Sequence, residues 1–74
     1  MIYEHYFDGR KPSEKQVIEA IKRGLSQGYH VFEIAWGENM VTLDKQSSNR
    51  WAGWGWIKSI SGHELAEQFN REGA

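Results

Sequence analysis

Two segments with helix-like spacing of apolar residues enclose a block of alternating residues, and this order constrains the fold most. In the first segment the apolar residues recur every three or four positions: Val17, Ile18, Ile21 and Leu25. Ser13 and Gln16 match a capping box, and Gly28 is suited to the left-handed residue that ends a helix. We therefore expect a helix over about 13–27 with one apolar face.

The second helical segment lies at the other end of the chain. Ser61 and Glu64 match a capping box, and Ile60 and Leu65 have the spacing of a hydrophobic staple. We expect this helix to start at Gly62 and to run to about residue 72. Its buried stripe would comprise Leu65, Ala66 and Phe69.

The block between the helices has the period of two that is typical of strands. We expect strands over 29–36, 40–44 and 54–60, with a turn at 37–39 that uses Gly37 and Asn39, and a polar loop over 45–50. Residues 2–7 have strand-like composition, but their place in the sheet stays open.

An antiparallel sheet needs cover on one face only, so both helices are expected on the same side. The predicted fold is α+β: a single two-layer domain over 1–74, with a three- or four-stranded, mainly antiparallel sheet and two helices on one face. The element order is (β)-α-β-β-β-α. The other face of the sheet would be open.

The amino-acid composition disfavours several classes of function. The chain of 74 residues has no cysteine and a formal charge of −1. It can form neither disulfides nor thiolate metal sites, which favours a reducing, cytoplasmic setting. The charge disfavours a strongly basic nucleic-acid binder. No stretch approaches the ~20 apolar residues of a membrane span, so we expect no membrane partner.

The stretch SSNRWAGWGWIKS, at 47–59, contains three of the four tryptophans. Trp54 and Trp56 must share one face of a strand, with Gly55 on the opposite side. Either the glycines face the helices and allow close backbone approach, or the tryptophans face inward as core. Periodicity leaves both alternatives open.

From this stretch we expect a partner-binding site of Arg50, Trp51, Trp54 and Lys58, because tryptophan and arginine are enriched at binding hot spots. Trp36 and Trp56 are expected in the core. Rings interleaved with cations also stack nucleic-acid bases, so composition alone does not distinguish a protein ligand from a single strand.

No residue pattern predicts a reaction. His5, His30 and His63 lack metal-ligand spacing, and no serine lies in a nucleophile context. We expect neither enzymatic activity nor a metal or other cofactor.

The predicted α-β-β-β-α order is similar to that of the double-stranded-RNA-binding domain, and residues 28–34 resemble its first strand. That family places lysines at the start of its last helix to bind phosphates. Here the helix opens Ser61-Gly62-His63-Glu64, whose carboxylate would repel a phosphate backbone. The resemblance implies a similar fold only.

Three stretches resemble small accessory proteins from the early regions of tailed phages and prophages: KPSE with VIEAI (11–21), FEIAWGEN (32–39) and ISG with LA and FNR (60–71). The resemblance assigns no site residues. It implies a protein that binds a host protein, such as a defence or nuclease complex, and blocks or redirects it.

Three functional hypotheses follow. The first is a non-enzymatic protein-binding module, whose narrower form is an inhibitor or modulator of a host protein. The second is a weak nucleic-acid binder that stacks bases on the tryptophans, with Lys45, Arg50 and Lys58 on phosphates. The third is a homodimer that buries the same surface against itself.

Overall fold

The strands form one mixed sheet in chain order, in a computed structural model that describes residues 1–72. The strands are β1 (Ile2–Phe7), β2 (Val31–Trp36), β3 (Asn39–Ser47), β4 (Arg50–Ile57) and β5 (Ile60–Ser61), and the helices are α1 (Glu14–Ser26) and α2 (Gly62–Glu72). The predicted α+β class is confirmed. The sheet has five strands, however, where three or four were predicted.

β1 lies at the edge of the sheet and runs parallel to β2, with Ile2 beside Val31 and Phe7 beside Trp36. The other three strand pairings are antiparallel. A parallel pair needs a crossover connection, and α1 provides it here. The sheet is therefore mainly antiparallel, as predicted, with one parallel edge.

The predicted polar loop over 45–50 is wrong. β3 continues to Ser47 and β4 already begins at Arg50, so the hairpin turn contains only Ser48 and Asn49. The strand pairing shifts register between Lys45 and Ser47. Residues 45–50 are all polar and show no alternation with apolar residues, which is why the strand ends were predicted as a loop.

The predicted strand over 54–60 is also corrected. A turn at Lys58 and Ser59, with Lys58 at a φ of 54°, separates β4 from β5. Ile57 and Ile60 become partners across this turn, and both are buried. In one continuous strand, positions 57 and 60 would face opposite sides of the sheet, and the turn allows both isoleucines to be buried.

Both helix starts and the end of α1 agree with their sequence signals. The Ser13 hydroxyl accepts from Gln16 N–H at 3.1 Å, and Gln16 Oε1 accepts from Ser13 N–H at 2.9 Å. Gly28 has a φ of 92°, and Tyr29 N–H donates to Gly24 O, as in a Schellman motif. At α2, the Ser61 hydroxyl accepts from Glu64 N–H.

Both helices cover the same face of the sheet, as predicted. Their buried residues share one core with inward residues of β2, β3, β4 and β5: Val17, Ala20, Ile21, Phe32, Ile34, Val41, Leu43, Trp51, Ile57, Ile60, Leu65, Ala66 and Phe69. No helix within residues 1–72 is long and apolar enough to span a membrane.

The start of α2 lies directly on the backbone of β4. A Cβ atom built on Gly53 would overlap the carbonyl oxygen of Gly62, and one on Gly62 would overlap the carbonyl oxygen of Trp54. Only residues without side chains permit this distance between helix and strand. The contact determines which face of β4 points inward.

Candidate protein-binding surface

Gly53 of β4 faces α2, so Trp54 and Trp56 point to the uncovered side of the sheet. The inward positions of this strand are 51, 53, 55 and 57, and the outward positions are 50, 52, 54 and 56. Trp54 is 54% exposed and Trp56 is 60% exposed. The sequence left open whether these tryptophans face inward or outward, and in the structure they face outward.

Strand register aligns the outward residues into rows that cross the sheet. One row runs through Tyr6, Ala35, Met40 and Trp56, each the pairing partner of the next. A second runs through Glu4, Glu33, Thr42 and Trp54, and a third through Ile2, Val31, Asp44 and Ala52. We call the surface formed by these three rows the open face.

Large apolar side chains are concentrated on the open face. Apart from Met1, every large hydrophobic side chain that is exposed within residues 1–72 belongs to it: Ile2, Tyr6, Met40, Trp54 and Trp56. Single exposed apolar residues are ordinary, but a contiguous group is typical of an interaction site. Neither helix packs on this group, because both lie on the opposite side of the sheet.

The charges of the open face are mostly negative. Its rows contain Glu4, Glu33 and Asp44, and the outward position next to Ala52 adds one cation, Arg50. Glu4 and Glu33 are partners in the parallel register of β1 and β2, so the two side chains extend from adjacent positions on neighbouring strands. The open face is therefore aromatic and apolar with an acidic part near β1.

Trp51 was expected at the binding site, and its predicted exposure is wrong. It is 7% exposed and lies between Phe69, with centroids 4.6 Å apart, and Phe32, at 5.7 Å. Trp51 N–H donates to Asn70 Oδ1 at 2.6 Å, and Asn70 Nδ2 donates to Trp51 O at 3.1 Å. The inward register of β4 makes this ring a central part of the core.

The structure separates the other predicted site residues. Arg50 and Trp54 lie at outward positions of β4, whereas Lys58 lies in the turn after it. Lys58 Nζ is 6.0 Å from the centroid of the Trp36 ring. Trp36 packs against the core, as expected, and its Nε1 donates to Gly9 O at 2.9 Å.

Sequence reasoning missed most of the open face. For Trp56 the core was favoured while both faces stayed open, and the structure places it on the outward face with Trp54. Tyr6 and Met40 were not singled out. The usable signal was Gly53, which leaves the inner side of β4 free for the α2 backbone.

Within residues 1–72, no three His, Asp or Glu side chains come together in a way that could hold a metal ion. His63 Nε2 lies 3.2 Å from Glu67 Oε2, on the exposed side of α2. The open face thus remains the strongest candidate for function.

No protein family, curated protein or solved structure matches the chain significantly.

Proposed function

We propose that this protein is a non-enzymatic protein-binding module whose partner docks on the open face. The observation that carries the proposal is the row of Tyr6, Ala35, Met40 and Trp56, with Trp54 beside it, on a sheet face without a covering layer. Adjacent exposed apolar side chains on a small domain are typical of an interaction site. Tryptophan and tyrosine are also the residues that most often dominate binding energy.

A host-directed inhibitor would use such a surface by covering part of its target. The resemblance to phage accessory proteins supports this narrower form of the proposal. Without that resemblance, the open face is compatible with any protein partner whose surface is complementary to it.

A nucleic-acid ligand fits the open face less well. Two aromatic rings, Trp54 and Trp56, could stack bases, but Glu4, Glu33 and Asp44 lie on the same face, and within residues 1–72 Arg50 is the cation placed there to oppose them. Binding to single strands depends on a positively charged groove along the backbone. Carboxylates in that position would repel phosphates.

The test compares partner capture by the wild type and by a Trp54→Ser/Trp56→Ser double variant. Each immobilised protein is exposed to cell extract, and bound proteins are quantified by mass spectrometry. We expect the double variant to lose a partner that the wild type retains. A Lys22→Ser variant, which changes an exposed residue of α1, serves as the matched control and should retain that partner.

Stability measurements make the result interpretable. Because both rings are more than half exposed, the double variant should unfold at nearly the same denaturant concentration as the wild type. Equal capture by a folded double variant and by the wild type would refute the proposal.

A further inference from the structure

The open face contains a groove at the β1 side of the row through Tyr6. The groove has a volume of about 420 Å³, and its lining residues are Glu4, His5, Tyr6, Glu33, Ala35 and Met40. Tyr6 and Met40 are 59% and 44% exposed and flank the smaller Ala35, which is their partner in the row. The row therefore dips at its centre, between two large side chains.

Two carboxylates lie next to this depression. Glu4 and Glu33 are pairing partners and precede Tyr6 and Ala35 by two residues on the same face. Within residues 1–72 neither forms a salt bridge. Like charges directly opposite each other on neighbouring strands repel, so this pair does not serve the sheet itself.

From this arrangement we infer that the partner inserts an arginine or lysine side chain between Tyr6 and Met40, where Glu4 and Glu33 bind its cationic group. The inference rests on the proposed protein-binding function and names the chemistry of the partner. The aliphatic part of such a side chain would contact Ala35 and Met40. The tyrosine ring would offer a cation–π contact, and the carboxylates would accept charge-assisted hydrogen bonds.

Charge complementarity favours this partner over a second copy of the chain. A face-to-face dimer would enclose Glu4, Glu33 and Asp44 from each copy with only Arg50 as an opposing cation on the face. Enclosed carboxylates without cationic partners are strongly unfavourable. A partner with exposed arginine or lysine beside apolar residues meets both the charge and the apolar character of the face.

The test uses two peptides that differ only in charge: acetyl-Leu-Arg-Leu-amide and its citrulline counterpart, which is nearly isosteric and neutral. Each is titrated into ¹⁵N-labelled full-length protein and followed by NMR shift changes. We expect the arginine peptide to shift the amides of Glu4, Tyr6, Glu33 and Ala35 and to bind about tenfold more tightly than the citrulline peptide. Its affinity should fall when NaCl is raised from about 0.1 M to about 0.5 M.

Glu33→Gln should remove the preference for arginine, whereas Glu19→Gln, on the exposed side of α1, should preserve it. The inference is overturned if the two peptides bind equally, if neither shifts the groove amides, or if Glu33→Gln leaves the preference unchanged. It is also overturned if sedimentation shows a dimer that protects these amides. The capture experiment is independent: if partner capture depends on Trp54 and Trp56 but not on Glu33, the protein-binding function stands and only the cationic contact fails.

Discussion

The contact between α2 and β4 predicts a large effect of a single methyl group. In Gly53→Ala, the added carbon would overlap the carbonyl oxygen of Gly62 and lie 2.8 Å from its carbonyl carbon and 3.0 Å from Ala66 Cβ. The main obstacle is backbone in the first turn of α2, which cannot rotate aside as a side chain can. The substitution must therefore push the helix away from the sheet.

The expected cost follows from opposing contributions. Overpacking costs about 1–3 kcal/mol, with backbone obstacles at the upper end. Alanine has less conformational freedom than glycine in the unfolded chain, which stabilises the folded state by about 0.4–1 kcal/mol. We therefore expect the free energy of unfolding to fall by about 2 kcal/mol in total. A chain of 74 residues has a total stability of about 4–11 kcal/mol, of which this loss is a substantial part.

Urea unfolding followed by far-UV circular dichroism measures this loss. For so small a domain the free energy of unfolding falls by about 1 kcal/mol per molar urea, so the midpoint should drop by about 2 M. Gly9→Ala is the matched control: Gly9 has a φ of 75° but no atom within 4 Å of an added Cβ, so only backbone strain of about 1 kcal/mol is expected. A midpoint for Gly53→Ala equal to or above that of Gly9→Ala would refute the close contact.

Three further predictions use the same unfolding assay. Glu33→Gln should raise the free energy of unfolding by about 0.5 kcal/mol, because it removes the charge repulsion between Glu33 and Glu4. A clear loss of stability would mean that the Glu33 carboxylate has a stabilising partner. Trp51→Ala should lower the free energy of unfolding by about 3–5 kcal/mol, whereas Trp54→Ala should change it by less than about 1 kcal/mol. A larger loss for Trp54→Ala than for Trp51→Ala would mean that the two faces of β4 are misassigned. Asn70→Ala should cost about 1–3 kcal/mol, since it removes both bonds to the Trp51 backbone, and an unchanged midpoint would show that water replaces them.

The helices could be predicted from sequence because their signals are local. Ser13 and Gln16 meet within one helical turn, and Gly28 stops α1 by its own backbone conformation. The same holds for the start of α2 at Gly62, which follows its cap directly. Such signals need no knowledge of distant contacts.

The orientation of β4 could not be predicted, because it depends on a contact between elements. A period of two places Trp54 and Trp56 together but does not say which side the helices occupy. That side is determined where Gly53 meets Gly62, a contact that forms only in the folded chain. The buried Trp51 and the exposed Trp56 both follow from it.

The open face was hidden for a related reason. Tyr6, Met40 and Trp56 come from three different strands, and β1 is separated from the other two in sequence by α1 and β2. They become one row only through the parallel pairing of β1 with β2 and the hairpins that follow. The strand composition of residues 2–7 was readable, but its pairing partner was not.

The most direct measurement of the central claim is site-specific photocrosslinking. A photoreactive benzoylphenylalanine replaces Trp54 in one protein and Lys22, on α1, in another, and both are irradiated in cell extract. We expect a discrete crosslinked product with a second protein from position 54 and none from position 22. The absence of a product from position 54, or the same product from both positions, would contradict the claim that the open face is the binding surface.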